Sequence, residues 1–197
     1  FAGNFSLIVI LLIFLLIEEK VFLKKIEYIS NKKKLNLFKK INKDIFDYFQ
    51  LKAFTSFLTG ILTFLILYIL KNDLAPTFAI LAFILNFIPL IGSLLSIFIP
   101  FLFSIIQFLG LYEPFLTFIF LFLIQIFIGN YIEPKLMGKK LNISPLVMIL
   151  FLSLMGKLWG ITGMFLSVPI LVVLLIILSN IKSTQKVAFL LCEKEKN

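Results

Sequence analysis

The sequence predicts an all-α fold: a polytopic transmembrane helical bundle with two helical hairpins interrupted by Gly and Pro. Three observations carry that expectation. Hydrophobic residues make up 61% of the 197-residue chain, with 25 phenylalanines and a mean hydropathy of +1.11, which is more apolar surface than a domain facing water can hide. The apolar runs are continuous and separated by short charged segments, whereas the strands of a membrane barrel would alternate in polarity. Residues 74–109 hold no charged side chain; this run is too long for one span of roughly 20 residues, and Pro89 and Gly92 interrupt it.

Taken in order, the chain opens on Phe1 rather than methionine. It therefore reads as part of a longer protein, and its apolar start is poor evidence for a signal peptide. Residues 1–17 form a nearly unbroken apolar helix, the end of a span. A Lys-rich segment, 18–53, follows, and residues 18–52 carry ten lysines against five acids. The positive-inside rule places it in the cytoplasm. Its second half, with Phe38, Ile41, Ile45, Tyr48 and Phe49 at helical spacing, reads as an amphipathic helix on the membrane surface or beneath the bundle. The bundle proper is residues 54–178. Its first span, 54–70, carries Thr55, Ser56, Thr59, Gly60 and Thr63 toward one side, a pattern that favours close helix packing. Lys71, Asn72 and Asp73 form a turn, with Asn72 or Asp73 as helix cap and Pro76 in the first helical turn.

The first interrupted element, 74–109, comprises halves of ~22 and ~26 Å at 1.5 Å per residue, both short for a span. Pro89 has no amide hydrogen and disfavours helix at Ile88, while Gly92 tolerates almost any geometry. In lipid a broken backbone survives only where protein buries it or a wet cavity solvates it. Pro114 then opens a helix to about Gly129 with Gln125 inside it, and a loop over 130–144 follows. A second interrupted element runs over 145–178, broken around Gly156 to Gly160 and bent at Pro169. The tail, 179–197, is polar. If both interrupted elements are hairpins, the three lysine-rich stretches (18–52, the 130–144 loop and the tail) fall on one side. Reading either element as a single span moves at least one of them outside.

All 19 basic residues are lysine, giving a net charge of +9. In a membrane protein this balance reflects cytoplasmic loops rather than nucleic-acid binding. The chain has no histidine, and its one cysteine, Cys192, has no partner within it. Histidine-based catalysis, a Cys/His metal site and an internal disulfide are thereby excluded for this stretch. No enzyme activity, metal or other cofactor is expected. Paired Gly/Pro-interrupted hydrophobic elements are a sequence pointer to a transporter's substrate region, and two plain hairpins with Pro and Gly in their turns are the alternative. The candidate pathway residues are Asn86, Pro89, Gly92, Ser93, Gln107, Gln125, Asn130, Gly160, Gly163 and Pro169. Their amides need partners in hydrocarbon, as substrate ligands or as interhelical glue. Glu133 is a coupling carboxylate or half of an interfacial ion pair.

The stretch from Asn86 through Pro89 and Gly92 to Pro100 resembles the first signature of the autoinducer-2 exporter-like (AI-2E) family of bacterial permeases. Gly129, Asn130, Glu133, Pro134, Gly138, Lys139, Leu141, Ser144, Pro145 and Leu146 look like the second. Trp159, Gly160, Gly163 and Pro169 are similar to the third. The similarity runs from about Phe14 to Leu178 in family order. It implies a multi-pass protein of the bacterial inner membrane, with further spans N-terminal to this stretch. It also implies export of small molecules, including the quorum signal in some members and sodium or protons in others. Two departures stand out: Leu51-Lys52 where the family often has Gly-Gln, and Ile128 where many members have an acid. The expected partners are the lipid bilayer, a small-molecule or ion substrate and further copies of the chain, with no nucleic acid. A non-transporting scaffold subunit is the alternative from another class.

The lysine distribution makes a topology prediction. Single cysteines placed in 20–52, in 134–143 and in the tail, in a Cys192→Ser background, should all react with an impermeant thiol reagent from the cytoplasmic face. Reaction of any one from the opposite face overturns the arrangement.

Overall fold

The computed structural model describes residues 32–137, 143–181 and 183–192, all of them helix or connecting turn. The opening span at 1–17, the Lys-rich residues 18–31, part of the second loop (138–142), Lys182 and the tail residues 193–197 lie outside the described residues. Internal contacts divide the chain into two units, residues 1–43 and 44–197. The described part of the first is the helical stretch 32–43. The bundle and all its contacts lie within the second.

Helix α1 (Lys32–Ile69) is a single element of 38 residues, where the sequence suggested an amphipathic helix and a separate span starting at Phe54. No Gly or Pro occurs between Lys32 and Thr59, so nothing in the backbone chemistry ends the helix at the polar-to-apolar transition. Within the span its polarity is inverted relative to a water-soluble helix: Lys52, Thr55, Ser56, Thr59 and Thr63 are buried, while Phe54, Phe57, Ile61, Leu65 and Tyr68 are exposed. The helix stops at Lys71, whose φ of 58° is left-handed. The Asn72 amide donates back to the Leu67 carbonyl at 2.9 Å, the six-to-one closure of a Schellman cap without its usual glycine. Neither Asn72 nor Asp73 is the cap of the next helix, whose N-cap is Leu74 without a side-chain bond; Asn72 instead closes the turn ahead of it, its Oδ1 accepting from the Leu74 amide at 3.1 Å.

Hairpin 1 comprises α2 (Ala75–Leu85) and α3 (Ile91–Gln107). The far end of α3 returns to the start of α2. Gln107 accepts from the Asp73 amide and donates to the Lys71 carbonyl, Asn72 donates to Ser104, and the Phe78 and Phe103 rings meet at 5.3 Å. At the tip the Ile91 amide donates to the Pro89 carbonyl at 2.7 Å around Leu90, at φ 64° and ψ −61°. That is a γ-turn in its strained hand. The left-handed residue is therefore Leu90, not Gly92. Gly92 is needed for another reason: a Cβ there would lie 1.7 Å from the Leu85 carbonyl oxygen.

α4 (Tyr112–Ile126) carries Pro114 in its first turn, as expected, and does not stop at Gly129. It runs into a π-helical turn (Phe127–Ile132) and the short α5 (Glu133–Met137). Asn130 and Glu133 thus sit on a helical extension rather than in an open loop. Gly60 lets α1 approach hairpin 1, since a Cβ there would be 3.1 Å from the Ala79 carbonyl oxygen. Leu67, Ala75, Phe78, Ile97, Leu121, Ile124 and Ile128 form the core between α1, hairpin 1 and α4.

The last long element, α6 (Pro145–Asn180), is helical throughout except at Gly160 (φ 63°, ψ −144°). By length and apolarity it counts, among the described residues, as one of three candidate spans, with Asn36–Ile69 and Tyr112–Leu136. It is nonetheless a hairpin. A straight helix would separate residues 155 and 163 by ~12 Å, yet a Cβ on Gly163 would lie 2.1 Å from the Met155 carbonyl oxygen. Its two ends also meet, because α7 (Gln185–Leu191) brings the Leu191 carbonyl to the Ser144 amide at 3.1 Å. Hairpin 2 therefore has arms over 145–159 and 161–180.

These contacts rank the glycines. Gly92→Ala and Gly163→Ala should each lower the melting temperature of the detergent-solubilised protein, with a stability loss above the ~1–3 kcal/mol of ordinary overpacking, because the obstructing atom is backbone. Gly129, where no atom lies within 4 Å of the place a Cβ would take, should accept alanine with a change of under about 1 kcal/mol. Equal melting of all three variants would contradict the packing.

Candidate functional site

One group of buried polar side chains in the second unit converges on one turn of α1. Lys52 Nζ and Glu133 Oε1 form an ion pair at 2.5 Å with side chains only 8% and 19% exposed. Thr55 Oγ1 donates to the same carboxylate oxygen at 3.0 Å. Glu133 reaches α1 because of the π turn before it: its own amide donates to the Ile128 carbonyl, five residues back. The extra residue rotates everything downstream by about 100° relative to a continued α-helix. Pro134, which has no amide hydrogen to give, follows directly on that turn.

One residue along from Thr55, Ser56 Oγ accepts from Asn86 Nδ2 at 3.0 Å. Asn86 is buried at the tip of hairpin 1, so Glu133 and Asn86 are joined through adjacent residues of a single helical turn. Deeper in the bundle, Gln125 Nε2 donates to Ser96 Oγ at 2.9 Å, and Ser96 in turn donates to the Gly92 and Ser93 carbonyls. Those two carbonyls belong to the first turn of α3, and the contact ties α4 to the tip of hairpin 1. Hairpin 2 reaches the same region through Phe165, whose ring stacks on Phe87 at 5.0 Å and lies 6.3 Å from Phe49.

Of the residues the sequence singles out, Asn86, Pro89, Gly92, Ser93 and Gln125 are grouped at the tip of hairpin 1, and Glu133 is linked to them through Lys52, Thr55 and Ser56. Gly160 and Gly163 shape the turn of hairpin 2, and Pro169 is buried in its second arm. Gln107 is elsewhere, pinning the opposite end of hairpin 1 to the turn after α1. Asn130 is exposed on the π turn. Glu133 is an ion-pair residue, but its partner is Lys52, while the neighbouring Lys135 sits over the Tyr131 ring at 5.4 Å. In the sequence alone, Lys52 stands out only as a departure from a family pattern. Its signal is spacing: a lysine in helical register with Thr55, Ser56, Thr59 and Thr63 shares their face, and that face is buried.

Residues 2–183 match the family model described as "AI-2E family transporter". A Borreliella burgdorferi protein named "Putative transport protein" is 38% identical over 186 residues, covering 92% of this chain and 51% of the relative. The chain thus spans about half the length of that relative. A Haemophilus influenzae protein of the same name is 46% identical over 72 residues, or 36% of this chain and 21% of its own. "AI-2 transport protein TqsA" of Escherichia coli is 40% identical over 74 residues, or 38% of this chain and 22% of its own.

The ion pair makes a stability prediction. Glu133→Gln leaves a buried ammonium unpaired and should destabilise the detergent-solubilised protein by about 3–5 kcal/mol. Removing both charges, with Lys52→Met and Glu133→Leu together, should recover most of that loss. If the double variant melts as low as or lower than Glu133→Gln, the pair is not what holds this corner.

Proposed function

Because the chain belongs to the AI-2E family of transporters, we propose that it is the part of a bacterial cytoplasmic-membrane permease that carries its two moving hairpins, and that the permease exports small polar signals such as autoinducer-2. The observation that supports this most is that hairpin 1 ends at a buried polar cluster, Lys52, Thr55, Ser56, Asn86 and Glu133, while hairpin 2, turned at its own glycine, packs against that same tip through Phe165 on Phe87. Rearrangement of the tips relative to α1 would expose the cluster to one face or the other. The name of the Escherichia coli relative supports an autoinducer-2 class of solute, and the family's transport role supports the membrane assignment.

A cation antiporter is the second reading, favoured by the buried carboxylate of Glu133. Against it, that carboxylate is already neutralised by Lys52 and satisfied by Thr55, so a bound cation would have to displace an ammonium.

Efflux of autoinducer-2 from cells carrying the full-length protein, and uptake into inverted vesicles under imposed proton or sodium gradients, separates the two. Replacing Pro89 and Gly92 together with alanine should abolish autoinducer-2 flux in protein that still inserts, while Glu133→Gln should reduce it less. Complete loss of ion-driven flux in Glu133→Gln at normal expression would instead establish the antiporter. Wild-type flux in the Pro89→Ala, Gly92→Ala variant would remove the hairpin reading.

A further inference from the structure

We propose that Phe165 is the gate of the path between the two hairpins, closing it by stacking on Phe87; the proposal rests on the transport reading above and assigns the closure to a named side-chain pair. The two rings lie 5.0 Å apart at 27°, a stacked pair, and the other side of Phe165 faces Phe49 of α1 at 6.3 Å. Both neighbours are themselves braced edge-on, Phe87 by Phe83 and Phe49 by Tyr48, each at 5.7 Å. The half-buried Phe165 ring is therefore inserted between α1 and the tip of hairpin 1.

Both rings that Phe165 touches are next to the polar cluster along the chain, Phe49 three residues before Lys52 and Phe87 one after Asn86. Phe87 follows Asn86, whose amide is bonded to Ser56, the neighbour of Thr55 on the Glu133 carboxylate. Withdrawal of one ring would open the buried polar groups to whichever side hairpin 2 faces.

Hairpin 2 is also built to move as a body. The core formed by α1, hairpin 1 and α4 draws no residue from it among the described residues. Its own buried residues, including Leu152, Val168, Leu171, Val172 and Ile176, run along both of its arms. Phe165 follows Gly160, where φ is 63°, by about a turn and a half of helix. An aromatic pair is a weak tie compared with a buried ion pair, which suits a contact made and broken in every cycle.

The test uses the full-length protein with Ser56→Cys as reporter and Cys192→Ser as background. The rate of reaction with a positively charged methanethiosulfonate is measured in right-side-out and inverted vesicles. Phe165→Ala should accelerate the reaction several-fold, up to about tenfold, from one face. Phe87→Ala should do the same, and the double variant should be no faster than the faster single, because both remove one contact. Phe165→Trp, which keeps a ring, should stay slow. If Phe165→Ala does not accumulate, Phe165→Leu removes the ring while keeping apolar bulk and gives the same readout. An unchanged rate, no reaction in any variant, or accelerations that multiply in the double variant would each overturn the gate. Ring-dependent thiol access without autoinducer-2 efflux supports the gate and removes the proposed solute. Efflux with unchanged thiol access overturns the gate and leaves transport standing.

Discussion

The fold depends on two places where a backbone carbonyl occupies the space a side chain would fill. At Gly92 the carbonyl is that of Leu85, and at Gly163 it is that of Met155. Both contacts join residues seven or eight apart along the chain, a distance at which a continuous helix would keep them well separated. Chain reversal inside an apolar environment is costly because the peptide groups released at the turn cannot turn to water. A glycine that lets the second arm start directly against the end of the first keeps the number of released groups small. In hairpin 1 the remaining strain falls on Leu90, held left-handed by the Pro89-to-Ile91 hydrogen bond; in hairpin 2 it falls on a glycine, which tolerates it.

The polar interior arises from the same scarcity of water. Among the described residues no buried side-chain nitrogen or oxygen lacks a hydrogen-bond partner, although buried hydroxyls and amides occur along the whole of α1's inner face. Each pairs one helix with another or with its own preceding turn: Asn86 with Ser56, Asn72 with Ser104, Gln125 with Ser96, Thr59 with the Thr55 carbonyl. Interhelical bonds of this kind average only ~0.6 kcal/mol in membranes. Their value is in orientation more than stability, since an alternative register would leave several of them unmet. The Lys52–Glu133 pair is the exception in magnitude, and it fixes the one corner where α1, α4 and the π turn meet.

Much of this was legible in the sequence. The helical class, the two breaks and the turn at Lys71, Asn72 and Asp73 follow from hydropathy, Pro and Gly positions and a short polar run. Anything set by a neighbour distant in sequence could not be read. Gly92 looked like a flexible joint, and its actual role, a steric one, exists only because Leu85 comes back to it. The 130–144 segment looked like a loop because Gly129 and Pro134 both discourage regular helix; the chain nonetheless stays helical through both to Met137, by way of the π turn. Lys52 and Glu133 are 81 residues apart, and no local pattern connects them. The end of α1 was legible from the polar run Lys71, Asn72 and Asp73, but the left-handed backbone of Lys71, a conformation usually given to glycine, was not.

The uncharged character of hairpin 1 matters most while the protein is being made. A segment with no lysine, from residue 74 to residue 109, carries no information for the insertion machinery about which end belongs inside. What places hairpin 1 is then its fit to its neighbours: the small side chains of α1, Gly60 above all, let its first arm settle at a distance that charge does not dictate.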